Sequence, residues 1–237
     1  RFQTSITIDA HHYYSDEFPV LIGETIENNP DFKTFVDLGC GDGSILYSLN
    51  KKKLLDRFDK IYAVDLSEER ISKVKKVNQR VDCLISDVCN IPVIPDSQID
   101  MVIANQIIEH LKDDELLIRE IKRITKEEGI VYISTVFKKW YGWYFFKDRN
   151  NNWVIDPTHE REYIGDSQLF DMLKKHGFLI IQNRKTLHRF ALTDFILKRV
   201  GFKQNIYEES GFWRALRRLK IPILGYYNWE ILCYRKN

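Results

Sequence analysis

Val36-Asp37-Leu38-Gly39-Cys40-Gly41-Asp42-Gly43-Ser44-Ile45 decides the reading of this chain, because an apolar strand runs straight into a glycine turn and then a helix. Gly39, Gly41 and Gly43 let backbone N–H groups approach a ligand with no Cβ in the way, and they accept the positive φ of a tight strand-to-helix turn. A dinucleotide fingerprint has the spacing G-x-G-x-x-G, whose third glycine packs helix on strand. Ser44 stands at that place, and the pattern is an acid, Asp37, before G-x-G-x-G. The spacing argues against a nicotinamide cofactor.

Strand and acid then recur in order. Residues 60–64 form a second apolar strand closing on Asp65, where a carboxylate can accept both hydroxyls of a ribose. Asp65 follows Asp37 by 28 residues (65 − 37), more than the roughly 20 usual between turn and acid. The charged stretch 51–57 absorbs the surplus as a longer helix and loop. Ser67 caps the next helix, with Glu68 and Glu69 in its first turn. A third strand, 82–86, ends at Asp87-Val88. A fourth, 99–104, ends at Asn105-Gln106 and enters a helix at Ile107-Ile108-Glu109-His110-Leu111.

With these four matches in register over residues 33–136, the chain resembles the class I S-adenosylmethionine-dependent methyltransferases, and among them the small-molecule group with Glu-His-Leu after the fourth strand. The resemblance implies an α/β, Rossmann-like, seven-stranded and mostly parallel sheet with helices on both faces and an antiparallel last strand between the fifth and sixth. It implies S-adenosyl-L-methionine as cofactor, leaving as S-adenosyl-L-homocysteine. Asp37, Gly39, Cys40, Gly41, Asp65, Leu66, Asp87, Val88 and Asn105 would hold it, with Asp65 on the ribose and Asp87 on the adenine amino group. The implied reaction is direct displacement on the methyl group, for which alignment supplies most of the acceleration.

The chain is read as one domain, 1–237: a leading segment 1–30, a cofactor-binding core 31–187, a helical insertion 188–224 and a last strand 225–237. The leading segment, with His11-His12-Tyr13-Tyr14 and an apolar helix from Val20 to Glu27, lies over the cofactor as a lid or packs on the sheet. After the fourth strand, acids 113–115 open a helix that Gly129 stops before a fifth strand, 130–136. Asp166 opens another helix, 178–182 is the sixth strand and 229–234 the last.

His110 and His159 are the candidate general bases, needed only where the acceptor arrives protonated. His110 equally suits a helix histidine bonded to a carbonyl. His159, in Asp156-Pro157-Thr158-His159, equally suits a plain turn. Some quinone O-methyltransferases hold a divalent cation with Glu-x-x-Glu-His after the fourth strand. Gln106 replaces the first acid here, and no metal is expected. Base-methylating enzymes carry Asn/Asp-Pro-Pro-Tyr/Phe where this chain has Asn105-Gln106-Ile107-Ile108, which disfavours adenine-N6 chemistry.

The aromatic run 140–146 walls an apolar acceptor or caps the sheet edge. Between Ile196 and Lys220 stand Lys198, Arg199, Lys203, Arg214, Arg217, Arg218 and Lys220 against Glu208 and Glu209, with Phe212, Trp213, Leu216 and Leu219 at helical spacing. Residues 212–220 therefore lie on an anionic membrane, dock RNA, or pack on the domain with solvated charges.

A net charge of +2 over 237 residues argues against a wholly nucleic-acid-binding surface. Cys40, Cys83, Cys89 and Cys233 lack C-x-x-C spacing, and no apolar run reaches the roughly 18 residues of a membrane span. The expectation is a cytoplasmic enzyme, in part peripheral to membrane, methylating a small-molecule, glycan or lipid-linked acceptor on oxygen. An RNA or protein methyltransferase, and a non-catalytic cofactor-binding subunit, stay open.

Overall fold

A computed structural model describes residues 13–148, 151–203 and 205–236, apart from the side chains of 195, 198 and 199. His11 and His12, the first part of the expected lid, and the side chains of Lys198 and Arg199 lie outside the described residues. The chain runs α1 (Val20–Asn28), β1 (Thr34–Leu38), α2 (Ser44–Lys51), β2 (Lys60–Asp65), α3 (Glu68–Val77), β3 (Val81–Ile85), β4 (Ile99–Asn105), α4 (Asp114–Ile124) and β5 (Thr125–Lys138). A small flap of β6 (Phe146–Lys147) and β7 (Trp153–Val154) follows. Then come α5 (Asp166–Lys175), β8 (Phe178–Ala191), α6 (Leu192–Val200), α7 (Ile206–Glu209), α8 (Gly211–Leu216) and β9 (Lys220–Arg235).

Seven strands form one sheet in the order β3-β2-β1-β4-β5-β9-β8, with β9 antiparallel to both neighbours. The expected architecture is present. Side chains alternate along the central strands and both sets are buried. Val36, Leu38, Val102, Ala104, Val131 and Ile133 face α4 and α5, whereas Phe35, Ile61, Ala63, Met101, Ile103 and Tyr132 face α1, α2 and α3. A parallel strand covered on both sides reads as an unbroken apolar run, which is why these strands are visible in the sequence. On α4, Leu117, Ile118, Ile121 and Ile124 are fully buried, each worth about 1.5–3 kcal/mol of transfer free energy. Asp113 starts that helix by accepting the N–H groups of Glu115 and Leu116.

Three expectations are corrected. The helical insertion spans 192–219, not 188–224, because β8 continues to Ala191 and β9 begins at Lys220. Arg184, Lys185, Thr186 and Arg189 show no apolar alternation. They are ordered by pairing, Lys185 with Trp229, Thr186 with Asn228 and Arg189 with Pro222, on an edge strand whose other side faces solvent. The helix expected from Ile107 is one 3-10 turn, Ile108–His110, entered through Gln106 at φ +52°. The helix expected to reach Gly129 stops at Ile124, where Thr125 pairs with Ile99 and opens β5.

The leading helix is core and not lid. Leu21, Ile22 and Ile26 are buried with Phe35, Leu54 and Leu55. Only the preceding residues reach the glycine turn: Tyr14 stacks on Tyr47 at 4.6 Å and donates to the Asp42 carbonyl at 3.0 Å. The insertion packs against this piece through Tyr13 on Tyr207 at 5.3 Å, and Glu208 accepts from Tyr47 and Lys51.

Candidate functional site

Strand register sets a row of polar groups along one sheet edge. Leu38 pairs with Val64 and Ala104, Asp65 with Ile85, and Asn105 with Ser134. The glycine turn, Asp65, the 86–88 turn and Asn105 therefore stand side by side at the carboxyl ends, where strand order reverses between β1 and β4. The two-residue period puts Asp37 and Asp65 on the same face as Phe35 and Ala63.

Asp65 braces the turn: its Oδ2 accepts the Gly41 N–H at 3.0 Å and its Oδ1 the Ser67 N–H at 2.9 Å. Gly39 and Cys40 donate to the Val64 carbonyl at 2.8 and 3.0 Å. Each Asp65 oxygen keeps a lone pair for a ligand hydroxyl. A Cβ on Gly39 would lie 2.7 Å from Ile107, so that glycine is needed for packing. Gly41, at φ +54°, has no atom within 4 Å of the place a Cβ would take. That space is the cradle.

Asp37 lies beneath it, 2% exposed, with Oδ2 lacking a partner. Burial, then the charge of Asp65, pushes its pKa up to about 8. An orphaned acid beside an open glycine turn fits a cationic ligand, whose charge would favour the carboxylate. The other expected cofactor residues are less uniform. Cys40 is buried, its thiol pushed up by burial, and Val88 is 5% exposed. Leu66 is exposed at the row. Asp87 is exposed and accepts the Cys89 N–H at 2.9 Å, and Asn105 Oδ1 accepts from Ser134 Oγ at 2.7 Å.

Replacing Asp65 with alanine removes both turn braces together with the carboxylate that the resemblance puts on the ribose. The expected loss of S-adenosylmethionine affinity is roughly 1.5–3 kcal/mol, the scale of a hydrogen bond to a charged group. Calorimetric titration checks it, and an unchanged dissociation constant would take Asp65 out of the site.

A second group of polar residues adjoins the row. Ile107, against Gly39, leads to Glu109, which is fully buried with Oε2 unpartnered. Its carbonyl accepts the Glu160 and Arg161 N–H groups at 2.9 and 3.3 Å, fastening the 156–163 segment to the end of β4. His110 Nδ1 lies 3.4 Å from the Thr158 carbonyl and 3.2 Å from its Oγ1. The His110 and His159 rings meet edge to face at 4.8 Å. The His159 side chain is 5% exposed, with Nδ1 3.4 Å from Glu162 Oε1. Glu162 also meets Tyr226 Oη at 3.2 Å and Lys138 Nζ at 3.5 Å.

The two expected bases are thus adjacent, in different roles. His110 braces the turn that carries His159, as a carbonyl-bonded histidine does. One potential ligand atom each of Glu109, His110 and His159 lies within 4.8 Å of the others. The expectation of no metal weighed only residues after β4, where Gln106 stands for an acid and, with its amide turned over, would donate to Glu109 Oε1 at 3.1 Å. It did not weigh His159, which tertiary structure delivers. Two imidazoles and one carboxylate suit a borderline transition ion better than an oxygen-seeking one.

Burial raises the Glu109 pKa from 4.5 to about 7. The folded state then holds this proton more tightly than the unfolded chain, so the associated stability is complete below about pH 4.5 and lost as pH rises through about 7. Asp37 acts in the same direction, through about pH 8. Denaturation from pH 5 to 8 should show falling stability. In Glu109→Gln the fall should shrink by about 3 kcal/mol, at about 1.4 kcal/mol per tenfold in proton affinity. An undiminished fall would place Glu109 in a solvated setting.

Sequence reasoning did not single out Glu109, Glu162 or His188, whose pKa is lowered by burial and by His159. Only Glu109 had a signal, since it lies inside Glu-His-Leu. Glu162 meets His159 within the same segment, three residues on, and His188 reaches the group by tertiary packing.

Residues 36–133 match the family described as "Methyltransferase domain". A Mycobacterium tuberculosis protein described as "Probable S-adenosylmethionine-dependent methyltransferase" is 26% identical over 166 residues, 70% of this chain and 56% of its own. The (S)-coclaurine N-methyltransferase of Papaver somniferum is 26% identical over 211 residues, 86% of this chain and 58% of its own. The chain thus spans little over half the length of these curated relatives. Among solved structures, geranyl diphosphate methyltransferase in complex with SAM aligns with a TM-score of 0.55 at 15% identity, covering 90% of this chain and 84% of that one. At that identity the likeness speaks for the fold.

Proposed function

We propose, on the premise that this chain is a class I S-adenosylmethionine-dependent methyltransferase, that it transfers the methyl group of S-adenosylmethionine to a protonated oxygen of a small or lipid-linked acceptor. The observation that carries this reading is one edge holding both an open glycine cradle over buried acids and, beside it, the His110–His159 pair.

Bound S-adenosylmethionine supplies an activated methyl and a good leaving group. Asp65 would hold its sugar and Asp87 its base, as the resemblance assigns them; on this reading the Gly41 turn would flank the sugar, Asp37 would meet the positive charge, and Leu66 and Val88 would line the base. His159 would take the acceptor proton as the new bond forms. Glu162, with Oε1 3.4 Å from Nδ1, orients the imidazole. His110 fixes the turn.

Titration with S-adenosylmethionine, followed by incubation with a methyl-labelled donor and metabolite and lipid extracts, tests the proposal by mass spectrometry. The expected result is binding plus one product heavier by a single labelled methyl. Binding with no product in any extract would leave a cofactor-binding subunit. RNA or protein docking through the insertion would rest on fewer basic side chains than the sequence suggests. Arg214 donates to the Tyr207 and Glu208 carbonyls, and Arg217 lies against Asp194 and over the Tyr207 ring, so both are used inside the fold.

A further inference from the structure

Among the described residues, large apolar side chains are exposed most densely after β5. Trp140 is 92% exposed, Phe145 70% and Leu224 72%, with Trp143 at 49%. They form one surface. Trp143 meets Phe145 at 4.9 Å and Trp153 at 5.6 Å, and the Lys139 N–H donates to the Gly225 carbonyl at 2.8 Å, which brings Leu224 alongside. Gly142 and Gly225 touch so closely that a Cβ on Gly225 would lie 2.4 Å from Gly142 Cα. The flap is therefore pinned to β9 at its root while its aromatic faces point outward.

We propose that this aromatic flap is a docking surface for an anionic lipid bilayer. Tryptophan and phenylalanine set in lysines are the composition favoured at the membrane–water boundary, where ring bodies enter the acyl region and ammonium groups stay with the headgroups. Lys139 and Lys147 are exposed; Lys147 lies over the Trp153 ring at 4.5 Å and donates to Asn151 Oδ1 at 2.7 Å, at the rim where headgroup phosphate would be met. The neighbouring acid, Asp148, accepts from the Asn152 N–H and Nδ2 within its own turn. A two-fold contact with a second copy would set this basic rim against itself, which charge disfavours.

Residues 212–220, where Phe212 and Leu219 are each 66% exposed, offer the smaller surface. Helix α8 is only Gly211–Leu216, Trp213 packs against Leu197, Tyr207 and Tyr13, and Lys220 pairs with Glu17 at 2.6 Å. The flap also backs directly onto the second polar group. The Trp153 carbonyl accepts from Tyr226 Oη at 3.2 Å and from Lys138, and both donors touch Glu162 beside His159. On the methyl-transfer reading, an amphiphilic acceptor would rise from the bilayer next to His159. Bilayer docking itself does not depend on that reading.

Sedimentation with vesicles of phosphatidylcholine, with and without about one-third phosphatidylglycerol, tests the proposal without cofactor or acceptor. The expected result is binding to anionic vesicles that weakens with salt, drops at least tenfold in Trp140→Ser/Trp143→Ser/Phe145→Ser, and is nearly unchanged in Phe212→Ser/Leu219→Ser. Trp140→Ala alone, at a fully solvated position, guards against misfolding of the triple variant and should lower binding severalfold. Absence of wild-type binding, equal binding by all variants, or a wild-type dimer that the triple variant abolishes would overturn the proposal.

Discussion

His159→Ala should lower turnover by roughly 10²–10⁴-fold, the range for a positioned general base, while S-adenosylmethionine binds within about twofold of wild type. The imidazole is almost fully enclosed, edge to face with His110, and held at Nδ1 by Glu162, so Nε2 is the nitrogen left for an acceptor proton. The loss should shrink as pH approaches the acceptor's own pKa, where the acceptor no longer needs a base. Measurements with and without a chelator add a second readout. Activity unaffected by the chelator keeps His159 as a base, and chelator-sensitive activity makes it a ligand with Glu109 and His110. Full activity in the alanine variant would assign the histidine to the turn that Asp156 organises.

Gly41→Leu should abolish detectable cofactor binding, a loss beyond 100-fold, at modest cost in stability. Its φ of +54° makes any side chain strained, by about 1–2 kcal/mol. Apart from its chain neighbours, no protein atom stands within 4 Å of the added Cβ, so the leucine side chain would extend into the cradle. Gly39 differs, because a Cβ there would strike Ile107 and the damage would be to folding. Titration and thermal melting together separate the two. A Gly41→Leu protein that binds S-adenosylmethionine as tightly as wild type would show that the cofactor does not approach this turn.

Both predictions use positions the sequence named, for different physical reasons. Gly41 was legible because a glycine at alternate positions after an apolar strand has few other uses. His159 was legible only as a histidine after a turn signal. Part of its environment came from Glu109, joined by backbone hydrogen bonds to Glu160 and Arg161, which leaves no pattern along the chain; Glu162, three residues on, is a local partner whose contact depends on how the turn folds.

By itself the sequence determined the parallel half of the sheet, the order of its acids and the glycine cradle, because strands buried on both faces must be apolar throughout and a tight turn must be glycine. Tertiary structure alone decided the length of β8 and β9, the core role of α1, the internal use of Arg214 and Arg217, and the meeting of His159 with Glu109. In those places charged or irregular segments gain their conformation from cross-strand pairing and long-range packing, forces that act between residues far apart in the chain and leave no local period.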